Sequence, residues 1–326
     1  MVIKIIGAGL FGCSIGYELN RRGHDVTIIE QDNEIMQRAS KCNHNRLHLG
    51  YHYPRSIETA KQSLDGLLTF LINYKEAIVS NFPNVYLVAK ENSKVTAEEF
   101  IAFCEKVNIS HIPTSLDCLH KNHLVDKNLI DLAITTDEPI FDYEILKSLV
   151  KKKIKGIDIK FNMVFDGRLD DCDYLINTTY AGINTVSKQL GIPEIKVKLQ
   201  DVFIPCFKMD SDPFGLTLMD GPFCSVIPRG NHKNEFLLYS VQHSLIDRNL
   251  DMDNIYKQSE KYFPFLKDTD RLGFWRTLRV IPENKNDQRL SEIYTYKENP
   301  KVISVLSGKI STCHKIGQLI SRMICR

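Results

Sequence analysis

Paired-cysteine motifs are missing from this chain. Its nine cysteines (Cys13, Cys42, Cys104, Cys118, Cys172, Cys206, Cys224, Cys313 and Cys325) are odd in number, scattered and never spaced as CxxC. That spacing excludes a disulfide framework and offers no zinc pattern. Excess charge is lacking too: 42 Lys and Arg against 40 Asp and Glu leave a net +2, which gives no electrostatic reason to expect nucleic acid or an anionic membrane. No apolar run is long enough for a membrane span. Met1 to Ile6 meets glycine too soon for the apolar core of a secretion signal. The expectation is a reduced, cytoplasmic, globular protein. Internal repeats and low-complexity linkers are absent, and nothing in the pattern speaks to oligomeric state. The 326 residues, 43% of them hydrophobic, suffice for one large domain or two interlocked ones.

What is present begins as strand, glycine turn and helix. Val2 to Ile6 reads as a buried strand, and Leu10, Cys13, Ile15, Tyr17 and Leu19 continue a helix that ends near Gly23. Val26 to Glu30 is a second strand, and Ser56 to Ile78 one long helix. The pattern then changes: a strand at Val85 to Ala89, a helix at Thr96 to Val107 opened by the capping box Thr96 and Glu99, and a strand at Ile109 to Ile112. Residues 142–155 form a helix, with Lys151-Lys152-Lys153 as its solvated end. Tyr174 to Asn177 is a buried strand. Ile195 to His243 is rich in β-formers, with a hairpin near Gly230-Asn231. Lys301 to Leu306 is a last strand and Ser311 to Ile324 a last helix.

The implied fold class is α/β: a discontinuous Rossmann-like domain carrying an inserted α+β domain on a mainly antiparallel sheet. The expected division assigns 1–82, 140–185 and 275–326 to the nucleotide-binding domain, and 83–139 and 186–274 to the substrate or cap domain.

Gly7-Ala8-Gly9-Leu10-Phe11-Gly12 is a GxGxxG placed between strand and helix. Gly7 permits the tight turn, Gly9 leaves room for a pyrophosphate, and Gly12 lets helix and sheet approach. The helix N-terminus offers N–H groups and a positive dipole end to the phosphates. Glu30, followed by Gln31, ends the second strand where a carboxylate can accept from ribose hydroxyls, which disfavours a 2′-phosphate. This grip fits NAD or FAD equally.

The following stretch separates them. Ser40, Asn43, His48, Gly50 and Tyr53 fall on a Ser-x-x-Asn, His-x-Gly-x-Tyr-Tyr pattern, with His52 where the first tyrosine is usual. It resembles the flavin-contacting segment of the D-amino-acid oxidase-like (DAO) superfamily, nearest its 2-hydroxyglutarate dehydrogenase-like branch. Three further segments agree in order. Asn177-Thr178-Thr179-Tyr180-Ala181-Gly182 resembles the family's Asn-Ala-Thr-Gly turn with the glycine displaced. Trp275 to Arg279 resembles the strand before its Arg-Pro, with Val280 replacing proline. Ser307-Gly308-Lys309 stands for its Gly-His-Gly. The resemblance implies FAD as cofactor, contacted also by Arg46, Leu47, His48 and Thr178, and at the far end by Gly308, Lys309, Ile310 and Ser311.

An oxidation beside an amine or hydroxyl is the activity implied, on a small amino or hydroxy acid or a related amine, with hydride passing to flavin N5. A carboxylate-bearing small-molecule substrate calls for a bidentate arginine; Arg279 holds the corresponding position and Arg276 is nearby. His48 can take a hydroxyl proton as a neutral imidazole, or else pack beside the flavin ring. Gly308 and Lys309 can place donors and a cation where a reduced flavin gathers negative charge. Tyr53 is expected to line the pocket, with Tyr51, Tyr239 and His243 as further candidates. His44, His48 and His52 recur every fourth residue, but Gly50 and Pro54 oppose a regular helix and no Asp, Glu or Cys completes a ligand set, so no metal is expected. Two other readings stay open: a redox-neutral flavin enzyme acting on a sugar nucleotide, as in the UDP-galactopyranose mutases, and a non-catalytic FAD-binding protein.

Overall fold

In the computed structural model, which describes residues 1–169, 171–245, 251–283 and 289–325, the opening elements are β1 (Val2–Ile6), α1 (Leu10–Asn20), β2 (Asp25–Ile29) and α2 (Ile57–Tyr74). After them come β3 (Ile78–Val79), β4 (Asn84–Ala89), α3 (Ala97–Val107), β5 (Ile112–Pro113), α4 (Leu116–Lys121), β6 (Ile130–Thr136) and β7 (Ile140–Phe141). The middle contains α5 (Tyr143–Lys153), β8 (Asp158–Lys160), β9 (Tyr174–Asn177), α6 (Ile183–Gln189), β10 (Val197–Lys208), β11 (Gly215–Met219), β12 (Cys224–Pro228) and β13 (Glu235–Ser240). The last elements are α7 (Met252–Glu260), β14 (Asp270–Pro282), β15 (Glu292–Thr295), β16 (Val302–Leu306) and α8 (Cys313–Ile324).

Two large sheets organise these elements. The first has order β15-β16-β9-β1-β2-β8, parallel throughout except for β15. Its inner strands β16, β9 and β1 are short and mainly apolar because both faces are covered, whereas the edge strands β8 and β15 are more polar and exposed. Ile3 and Ile5 of β1 pack with Leu10, Cys13, Leu146 and Ile316 from α1, α5 and α8, whereas Ile6 packs on the other face with Leu175 and Val186. The second sheet has order β14-β10-β13-β12-β11-β4-β6-β5, antiparallel except where β11 runs beside β4. Together they form the α/β architecture expected, a parallel nucleotide-binding-type sheet with a mainly antiparallel second sheet.

Local chemistry explains most element ends. The Thr96 side chain accepts from the Glu99 N–H and Glu99 returns the bond to the Thr96 N–H, closing the capping box. Ser56 and Asp142 cap α2 and α5 without the return bond, their side chains accepting from Thr59 N and Ile145 N. The end of α5 is solvated at Lys151 and Lys152, as its lysine run suggests; Lys151 nonetheless pairs with Glu34, as does Lys147, and Lys153 lies 4.6 Å from the Tyr17 ring centroid. The hairpin at Gly230-Asn231 joins β12 to β13. Two expected bounds differ. The long helix stops at Tyr74, where a 3-10 turn at Lys75–Ala77 releases the chain into β3. The strand expected over Ile109 to Ile112 is reduced to Ile112–Pro113, since the helix α3 closes through Asn108 in the left-handed region (φ 56°) and Ile109 still donates to Cys104. No helix among the described residues is long and apolar enough to cross a membrane.

Candidate functional site

The turn after β1 is built so that only glycine fits. Gly7 has φ +98°, and a Cβ at Gly12 would lie 1.9 Å from the Gly7 carbonyl oxygen. The Thr178 hydroxyl, at the end of β9, donates to Ile6 O at 2.8 Å and lies 3.0 Å from Gly7 O. Thr178 therefore clamps the turn from the neighbouring strand. The Ser40 hydroxyl accepts from Leu10 N at 3.0 Å. Phe11 and Gly12 follow in the first helical turn, where no preceding carbonyl of the helix can bind their N–H groups. Glu30, nearly buried, accepts from Ala8 N (2.6 Å) and Asp32 N (2.9 Å). Its carboxylate thus braces the loop, and each oxygen retains a further lone pair. Beyond it a cleft of about 540 Å³ opens between Gln31, Asp32, Asn33, Gln37, Arg38 and Asn162. The cleft is lined by residues that follow Glu30, and Glu30 itself touches the glycine turn, an arrangement that suits an adenosine diphosphate.

Residues 43–49 carry the chain from that turn toward the second sheet. The Asn43 side chain donates to Ala39 O and Ser40 O and accepts from Asn45 N at 2.7 Å, supporting Asn45 at φ 54°. Leu47 N donates to Pro139 O and Phe141 N to Asn45 O, so this segment runs antiparallel to residues 139–141. Leu47 is fully buried in the core of the first sheet, while Arg46 and His48 reach a buried polar cluster.

That cluster unites both ends of the chain. The His48 ring lies 5.5 Å from Tyr53 and 5.3 Å from His52, between centroids. The Lys309 Nζ sits 4.0 Å from the centre of the Tyr53 ring. Burial pushes Lys309 down to about 7, and burial likewise holds His44 and His52 well below the usual imidazole range. His48 is lowered by burial, with Lys309 and Arg46 adding to it and Glu138 opposing. Five buried polar atoms of one segment lack hydrogen-bond partners: His44 Nε2, Asn45 Oδ1, Arg46 Nη2, His48 Nδ1 and His52 Nδ1. Orphaned groups this dense are costly unless a ligand meets them, so the site is consistent with a polar heterocycle such as the flavin pyrimidine ring. Among the described residues no group of three His, Cys, Asp or Glu could hold a metal.

The closing turn differs from expectation in one respect. Gly308 N donates to Ser291 Oγ at 2.8 Å, and Lys309 N lies 3.4 Å from the same oxygen. Their N–H groups are therefore engaged, and it is the Lys309 ammonium that faces the aromatic cluster. Glycine is obligatory here, since a Cβ at Gly308 would lie 2.1 Å from Arg289 O. Ile310 packs against the first core, and the buried Ser311 hydroxyl has no partner.

Arg279 enters from β14, paired opposite Gln200 of β10. Its Nη1 donates to Tyr239 Oη at 2.6 Å and its Nη2 to Gln200 Oε1 at 2.7 Å. Both partners are neutral, and no carboxylate among the described residues pairs with this guanidinium. The Tyr239 ring lies 5.5 Å from His44, which joins Arg279 to the imidazole cluster. Arg276 points the other way and pairs with Asp201 on the outer face. Tyr51 is core rather than pocket, fully buried against Tyr86, and His243 contacts Asn254.

Two departures from the family pattern meet in space. The Tyr180 hydroxyl accepts from Val280 N at 3.0 Å. A proline at 280 would have no N–H to give, so the tyrosine that displaces the glycine and the valine that displaces the proline form a matched pair. The sequence reading missed Glu138, which is buried within the same cluster, as well as Gln200 and Ser291. Glu138 stands in Asp137-Glu138-Pro139 between two strands, a string that reads as a solvated turn.

Residues 3–119 match the family model described as FAD dependent oxidoreductase (DAO). An FAD-dependent monooxygenase of Fusarium mangiferae, FPY4, is 25% identical over 95% of this chain and 87% of its own length. The FAD-dependent monooxygenase kojA of Aspergillus flavus is 35% identical over a shorter stretch, 31% of this chain and 25% of that protein. Among solved structures, glycine oxidase from Geobacillus kaustophilus superposes with a TM-score of 0.80 at 15% identity, over 99% of this chain and 94% of that one. NikD, an amino acid oxidase of nikkomycin biosynthesis, gives 0.73 at 13% identity, over 98% and 92%. At such identities these structures speak to the fold alone.

Proposed function

We propose that this chain, whose residues 3–119 match the DAO family of FAD-dependent oxidoreductases, oxidises a small carboxylate-bearing amino acid or related amine, with a hydroxy acid as the alternative substrate class. The observation that carries this reading is Arg279, a half-buried guanidinium held only by neutral groups and joined through Tyr239 to the imidazole cluster. A carboxylate would supply the missing charge through a bidentate contact. The amine is the favoured class because NikD and the glycine oxidase, which share the fold, are named for amino acid substrates.

FAD, when bound, supplies the hydride acceptor. In this reading its diphosphate rests on Gly7, Ala8, Gly9, Leu10, Phe11 and Gly12. Ser40 and Thr178 support that turn, and Glu30 and Gln31 meet the ribose. Asn43, Arg46, Leu47 and His48 would hold the ring together with Gly308, Lys309, Ile310 and Ser311. Arg279 orients the substrate carboxylate, Tyr53 walls the pocket, and His48 accepts the proton that a hydroxyl or ammonium must lose as hydride leaves. Lys309 places positive charge against the electron-rich reduced ring. The cofactor unit then comprises 1–82, 140–185 and 275–326 and the substrate unit 83–139 and 186–274. Arg279, although counted with the first, reaches the pocket from the second sheet.

Anaerobic mixing of the FAD-loaded protein with panels of amino acids, the matching decarboxylated amines and 2-hydroxy acids tests the proposal. Amino acids are expected to bleach the flavin, and a panel in which only non-carboxylate compounds do so would overturn it. A second reading, oxygen insertion, draws on the Fusarium relative named a monooxygenase along most of this chain. Labelled oxygen appearing in the organic product, instead of stoichiometric hydrogen peroxide, would select it.

A further inference from the structure

Glu138 is the only carboxylate that the described structure places against His48, and it is 2% exposed. Its oxygens accept from Tyr86 Oη at 2.6 Å and Leu49 N at 3.0 Å. Arg46 Nη1 lies 3.7 Å away and also meets Tyr86 Oη at 3.4 Å. His48 Nδ1 lies 3.4 Å from Oε1, close enough for an ion pair but without a hydrogen bond to it or to any other described group. The backbone is fixed as well, since Asn84 donates to Glu138 O at 2.8 Å from β4. Burial alone would raise this carboxyl, yet His48, Arg46 and Tyr86 together hold it below its usual range. It is therefore a buried anion beside Arg46, with the half-buried His44, His48, His52 and Lys309 around it.

From this juxtaposition we propose that Glu138 is the positioning residue of the site: it selects the His48 tautomer with the proton on Nδ1, leaving the Nε2 lone pair for the substrate proton. The opposite tautomer would set the Nδ1 lone pair against a carboxylate oxygen at 3.4 Å, two acceptors without a proton between them. A carboxylate that orients an imidazole and stabilises its protonated form is an arrangement with a clear physical effect. When His48 takes the substrate proton, the new imidazolium faces Lys309 and Arg46 on one side and Glu138 on the other. Among the described residues only Glu138 offsets that charge. The catalytic part of this inference rests on the reading of His48 as the base, whereas the tautomer part does not.

Nitrogen NMR of the FAD-loaded protein labelled at histidine nitrogens is the test, with His48→Gln used to assign the signal. The native protein is expected to show a protonated Nδ1 and an unprotonated Nε2 for His48. In Glu138→Gln the two forms should mix, and the pH at which His48 titrates should fall. The rate of flavin reduction should drop by about 10-fold or more, with KM little changed and the acid limb of its pH profile displaced. An Nε2-protonated His48 in the native protein, or one indifferent to Glu138→Gln, would overturn the proposal. Should Glu138→Gln not fold, Glu138→Asp, which retracts the carboxylate, and Tyr86→Phe, which leaves it in place, make the same comparison; the first is expected to disturb the His48 signal and the second to preserve its tautomer. If His48→Gln still reduces flavin at the native rate while the tautomer behaves as described, the base assignment fails and the positioning role stands.

Discussion

Lys309 shows how one side chain couples stability to chemistry. Its ammonium is buried over Tyr53, and burial brings it down to about 7 from an ordinary 10.5. Between those values the unfolded chain carries a proton the folded chain does not, so stability rises with pH across that window; below about 7 the full penalty of the buried charge remains. Lys309→Met should therefore stabilise the FAD-free protein by a few kcal/mol at pH 6 to 7, with the gain shrinking toward pH 10. The same substitution should lower the flavin reduction potential, because the reduced ring loses a nearby cation. Thermal melts across pH and a dye-coupled redox titration check the two halves. A second residue-scale prediction concerns Tyr180. Tyr180→Phe should cost about 1 kcal/mol by leaving Val280 N without its acceptor. The same change should cost almost nothing in a Val280→Pro background, which denaturant unfolding of the double-mutant cycle would show.

At the scale of elements, two glycine turns at opposite ends of the chain do equivalent work. Gly12 and Gly308 each stand where a methyl group would lie about 2 Å from a backbone oxygen, and backbone cannot move aside as a flexible side chain could. Gly12→Ala and Gly308→Ala should each release FAD or prevent folding, whereas Gly23→Ala, at a position with open space around it but φ +83°, should cost only about 1 kcal/mol. Flavin fluorescence after gel filtration and a melting curve separate these outcomes. The first turn was legible because glycine spacing is a local signal, and the second only through the family resemblance of Ser307-Gly308-Lys309. The polar partners were not. Ser40 binding the helix N-terminus, Ser291 binding the Gly308 turn and Thr178 bracing Gly7 join residues 17 to 171 positions apart, and no periodicity reports such contacts.

For the molecule as a whole, the sequence revealed the parallel sheet, the mainly antiparallel second sheet and the helices between them, because hydrophobic periodicity marks buried faces directly. It did not reveal that residues 43–49 run against 139–141, nor that Arg279 lies in the second sheet beside Gln200. Those pairings converge His48, Tyr53, Lys309 and, through Tyr239 and His44, Arg279 on one buried region. Glu138 escaped notice because an acid before a proline between strands usually faces water, and here folding turns it inward to within 3.4 Å of the His48 imidazole. The claim that this convergence is a carboxylate-recognising oxidation site is tested most directly by anaerobic flavin reduction in the native protein and in Arg279→Met, using an amino acid that bleaches the native flavin and its decarboxylated amine. Loss of the clamp should weaken the amino acid by roughly 100-fold or more in half-saturating concentration while leaving the amine unchanged. Equal saturation of native and Arg279→Met proteins by the amino acid would contradict it.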